Sequence, residues 1–83
     1  MTSVEDLLRA VDLAGVGRWH EAHEIAQRHE GQATADWLHG VLHALEGDVG
    51  NARYWFRRAG RAEPADPAAE LAVIRQAVMG RAG

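Results

Sequence analysis

The sequence predicts an all-α protein of five short antiparallel helices, and three observations carry that prediction. Apolar residues recur at helical spacing in five successive segments. Glycines and short polar capping residues punctuate those segments at close intervals. The chain has only two prolines and few β-branched residues, which argues against a sheet.

The first helix follows Ser3, a good N-cap, with Asp6 three residues on in capping-box position. Val4, Leu7, Leu8 and Val11 form one apolar face, and Gly15 and Gly17 stop the helix. The second helix runs from about Arg18 to His29 and closes at Gly31. Trp19, Ala22, Ile25 and Ala26 make its apolar side, with His29 on the same side. The third starts near Ala33 or Thr34 and ends at Gly47, with Trp37, Leu38, Val41, Leu42 and Leu45 on one broad face.

Asp48 is placed to cap the fourth helix, from about Val49 to Gly60, which buries Ala52, Trp55, Phe56 and Ala59. Glu63 to Pro67 form a rigid linker. Asp66 as N-cap and Pro67 at the first helical position launch the last helix, with Leu71, Ile74 and Val78 as its stripe and Gly80 as its end. Connections this short fold consecutive helices back on one another.

Eighty-three residues make a single domain, 1–83, with a modest core that buries roughly 60–65% of the unfolded surface. The absence of cysteine excludes disulfides, thiolate metal sites and cysteine nucleophiles. A net charge of −3 argues against nucleic acid as a partner. All nine basic residues are arginine, which excludes Schiff-base and P-loop lysine chemistry. The first residues lack the basic start and apolar run of a signal peptide. No segment approaches the ~18 apolar residues of a membrane span. A cytoplasmic protein without membrane partners is expected.

The chain also repeats. Gly17-Arg-Trp-His-Glu-Ala22 recurs thirty residues on as Gly47-Asp-Val-Gly-Asn-Ala52, a turn glycine preceding a small residue by five positions in both. The glycine lets the chain reverse and the alanine lets the second helix approach the first. A lone hairpin cannot bury its apolar face, so the two must stack.

In the second unit Gly40, Gly47, Asp48, Ala52, Phe56, Ala59 and Pro64 fall at the spacing of the small, turn, aromatic and terminal proline positions of the tetratricopeptide repeat, which the hairpin resembles. The first unit matches through Gly17, Trp19 and Ala22. The resemblance implies two such hairpins over residues 4–64, a C-terminal capping helix, and an interaction scaffold without chemistry. Trp-His-Glu-Ala-His at 19–23 and Glu-Gly-Asp-Val-Gly-Asn-Ala at 46–52 also resemble patterns in a group of small bacterial proteins, a likeness that implies no activity. Set on the repeat, His39 and His43 occupy positions that usually hold buried apolar side chains. Trp37, Val41 and Leu45 then face the groove, to be covered by the last helix, a second copy of the chain or a target peptide.

Two constellations can carry function. Arg53, Arg57 and Arg61 recur every four residues with Arg58 on the flank, a stripe suited to carboxylates or phosphates. With Trp37, Val41 and Leu45 it forms the expected face for a protein or peptide partner, or for self-association. A solvated face pairing with Glu63, Glu46 or the first helix is the simpler alternative.

His39 and His43 are an i, i+4 pair, able to converge on one divalent metal. His20, His23 and Glu24 of the second helix and Glu46 one turn beyond His43 can join them in a nitrogen–oxygen cluster for zinc or another divalent ion, as in a metal-dependent hydrolase. Competing roles for these histidines are hydrogen bonds to carboxylates, plain exposure, or a pH switch. No catalytic residue is assigned: Ser3 and Thr34 suit caps, and the glycines sit at helix ends rather than in a phosphate loop. Without such a residue, a non-enzymatic interaction module is the leading expectation.

Overall fold

The computed structural model describes residues 3–82, with side chains to residue 80. Five helices account for the fold, and there is no strand among the described residues: α1 (Ser3–Gly15), α2 (Trp19–Arg28), α3 (Ala33–Leu45), α4 (Val49–Ala59) and α5 (Pro67–Ala82). Three-residue connections at 16–18 and 46–48 turn α1 into α2 and α3 into α4. Gly17 and Gly47 take φ of 83° and 84° at those turns, a conformation costly to any residue with a Cβ.

Capping chemistry sets the later helix starts. The Asp48 carboxylate accepts from the Asn51 backbone N–H at 3.3 Å, and that of Asp66 accepts from Ala69 at 3.3 Å. At the other end of the chain the expected stop at Gly80 is overturned. The helix continues to Ala82, because Gly80 is not among the glycines that adopt positive φ.

Helices α3 and α4 approach most closely at Gly40. A Cβ built there would lie 2.7 Å from Phe56 Cδ1 and Cε1 and 3.2 Å from the Ala52 carbonyl oxygen. A hydrogen at position 40 is what lets the Phe56 ring pack this closely on α3. The first hairpin packs α2 on α1, and α2 also meets α3, joining the two hairpins.

The last helix packs on α1 and α3. Leu71, Ile74 and Val78 of α5 share one apolar cluster with Leu7, Ala10, Val11, Leu38 and Val41. Arg75 pairs with Asp12 of α1 at the rim. Cover for the α1/α3 face therefore comes from the chain itself. The Cα radius of gyration, 11.1 Å, falls slightly below the roughly 11.8 Å that a compact chain of this length averages, as a folded-back helix requires.

That cover changes the surface on which a partner was expected. Trp37 and Val41 are 2% and 0% exposed, so they lie inside the core rather than in an open groove. The Trp37 indole N–H donates to Glu70 of α5 at 3.3 Å, and the Arg61 guanidinium covers the ring at 3.6 Å from its centre. Leu45 parts from them. It is half-buried and lines a shallow depression with Trp19 and Leu71.

Candidate metal centre

Helical periodicity puts His39 and His43 on one side of α3, one turn apart. Packing of α2 against α3 brings His23 to them. The His39 and His43 rings are stacked, with centroids 5.1 Å apart and planes 14° from parallel. The His23 ring stands edge-on to both, at 4.3 Å and 4.7 Å. One nitrogen from each ring lies within 4.8 Å of the others, so the three are within reach of a single ion.

His23 Nε2 and His39 Nε2 are 2.5 Å apart. Two nitrogens bound to one tetrahedral ion at 2.0–2.1 Å are separated by about 3.4 Å. Seating an ion thus asks this pair to open by just under 1 Å, a movement that falls to half-buried His23, since His39 is buried and stacked on Trp55.

Unsatisfied ring nitrogens make the cluster costly as it stands. His39 Nδ1 and His43 Nδ1 are buried without a hydrogen-bond partner. A buried polar atom left unsatisfied costs about 1–3 kcal/mol. The Asp48 carboxylate is 3.8 Å from His43 Nδ1, and Glu46 is 4.0 Å from His23 Nδ1. Both are near enough for Coulomb attraction and too far for a hydrogen bond. Both carboxylates are partly exposed, at the solvent edge of the cluster.

Burial holds His39 neutral far below its ordinary range, at about 3, with the neighbouring charges of His23, His43 and Arg58 acting in the same sense. Burial likewise lowers His23, and His43 adds to it while Glu46 opposes. At neutral pH His39 therefore presents the unprotonated imidazole that a metal requires.

Of the six residues expected as ligands, three converge. His20 is 89% exposed at its side chain and pairs with Glu24 at 3.0 Å on the outer face of α2, so neither faces the cluster. Glu46 lies beside His23 at Nδ1, not among the converging nitrogens. His29, outside that set, bonds through Nε2 to the Asp6 carboxylate at 2.8 Å, tying the end of α2 to α1. That bond lowers the Asp6 pKa.

Two participants escaped sequence reasoning. Trp55 stacks on His39 at 3.8 Å between centroids and 13° between planes, closing one side of the cluster. The Arg58 guanidinium lies over the Trp55 ring, 5.0 Å from its centre, and donates to the Tyr54 hydroxyl. A signal for Trp55 existed: His39 and Trp55 are each eight residues from Gly47, so a hairpin folded at that glycine sets them opposite each other.

The arginine stripe is also gathered. Arg53, Arg57 and Arg61 line a shallow depression of about 300 Å³ with Phe56 and Glu63. Arg53 bonds Glu63 at 3.1 Å and Arg61 rests on Trp37, while Arg57 is exposed.

No protein-family model, curated protein or solved structure matches the chain. The geometry of the histidine cluster carries the functional reading.

Proposed function

We propose that the protein binds one divalent transition-metal ion, zinc foremost, through His23, His39 and His43. The single observation behind this reading is the convergence of three buried or half-buried imidazoles from two hairpins within reach of one ion. Neutral imidazole suits zinc, copper, nickel or iron, and an all-nitrogen set does not suit magnesium or calcium. His23 belongs to the first hairpin and the other two to the second, so the ion staples the hairpins together. Binding energy then becomes folding energy.

Metal content of the untagged protein tests this reading. One equivalent of zinc is expected, with a melting temperature raised by roughly 10 °C or more when free zinc exceeds Kd a hundredfold, about 2.7 kcal/mol. His39→Gln and His43→Gln are expected to lose both effects. Metal far below one equivalent, with a melting temperature indifferent to zinc, would sink the proposal.

A second reading rests on the arginine-lined depression. The chain is a tetratricopeptide-like cytoplasmic interaction module whose partner, an acidic peptide segment of another protein or of a second copy, meets Arg53, Arg57 and Arg61. The close approach of α3 and α4 at Gly40 supports that kinship. Peptide titration and sedimentation at micromolar concentration test it together. Salt-sensitive binding weakened by Arg57→Ala is expected, and a monomer that ignores acidic peptides ends it.

A further inference from the structure

We infer that the metal in this centre keeps one coordination position for a small external anion, a carboxylate or hydroxide oxygen. This rests on the metal reading above. The described residues offer three nitrogens and no fourth ligand: no carboxylate joins the converging group. The nearest carboxylates are Asp48, 3.8 Å from His43 Nδ1, and Glu46, whose oxygen lies 4.0 Å from His23 Nδ1 while Nε2 of that ring faces His39. The two nitrogens lie on different edges of the imidazole, so Glu46 stands on the far side of the ring from His39.

The direction of the open position follows from what covers the cluster. Trp55 lies flat on His39, which is 2% exposed, and blocks that side. The side chains of His23 and His43 keep 19% and 13% of their exposure. The remaining vertex therefore opens between α2 and the α3–α4 turn.

Charge selects the ligand. Three neutral imidazoles leave the ion's double charge uncompensated within its coordination shell. Arg58 adds positive potential beside Trp55, at 5.0 Å from that ring, partly offset by the buried Asp36 carboxylate 4.0 Å from its Nε. Asp48 and Glu46 offset this only from the outer edge, at 3.8 Å and 4.0 Å from ring nitrogens. An anionic oxygen completes the shell better than a neutral donor. Three histidines with an exchangeable fourth position is also the arrangement that lets zinc act as a Lewis acid rather than only as a staple.

Cobalt(II) absorption of the full-length protein tests the inference. A tetrahedral spectrum at one equivalent is expected, shifting saturably with azide and with acetate and unmoved by perchlorate at equal ionic strength. Glu46→Gln is expected to respond as the wild type does. A stoichiometric cobalt spectrum indifferent to both anions overturns this inference and leaves the metal reading standing. So does a wild type that is silent while Glu46→Gln responds, since Glu46 would then be the fourth ligand. Failure to bind cobalt at all overturns both.

Discussion

His39 concentrates the physical tension of the molecule in one side chain. It is buried, stacked on Trp55, and carries a nitrogen with no partner. Its imidazole stays neutral down to about pH 3, whereas the unfolded chain takes up that proton near 6.5. The unfolded state therefore binds more protons between those values. The contribution is fully present above pH 6.5 and is lost as pH falls toward 3. His23 acts in the same direction, and Asp6, lowered by its bond to His29, extends the acid loss below its ordinary value of 3.8. Urea denaturation of the metal-free protein across pH 7 to 4 should show stability falling steadily. His39→Gln should flatten that slope, and an unchanged slope would show that this ring does not hold its neutral form.

Between elements, the decisive contact is that of α3 and α4 at position 40. Gly→Ala inside a helix ordinarily stabilises by about 0.5–1 kcal/mol. At Gly40 the added methyl would meet a buried aromatic ring at 2.7 Å and a backbone carbonyl at 3.2 Å, with little slack on either side. Overpacking of this kind costs typically 1–3 kcal/mol. Gly40→Ala should therefore lower stability by about 1–2 kcal/mol net. Gly50→Ala in α4, where a Cβ meets nothing within 4 Å, should be neutral or raise it by about 0.5 kcal/mol. Chemical denaturation of the pair gives the sign of each, and equal effects would contradict the close approach.

At the scale of the whole molecule, α5 decides which surface is inside. It places Leu71, Ile74 and Val78 against the α1/α3 face and receives the Trp37 N–H at Glu70. A chain ending before Pro67 should bind ANS strongly and shift tryptophan emission to the red as Trp37 loses its cover. The full chain should do neither. A truncated chain with unchanged emission and no dye binding would show that the α1/α3 face is covered by something other than α5.

Five helices and their turns were readable residue by residue because capping, turn glycines and apolar spacing act within a few positions of the chain. Asp48, Asp66, Gly17 and Gly47 each do locally what their chemistry dictates. The alignment of His39 with His43 was equally local, since one turn of helix sets it. Gly80 does not stop α5, because a glycine ends a helix where the chain turns left-handed, and no neighbouring residue signals that turn.

The choice between His20 and His23, three positions apart on α2, depended on how that helix rolls against α3. So did the placement of Glu46 at Nδ1 of His23 instead of among the converging nitrogens. The path of α5 over α1 and α3 put Trp37 and Val41 in the core. Helical periodicity relates residues within one segment, whereas the roll and crossing of separate helices follow from how their side chains interlock. The histidine pair was therefore a property of the sequence. Its third member, its Trp55 wall and its open edge belong to the packing.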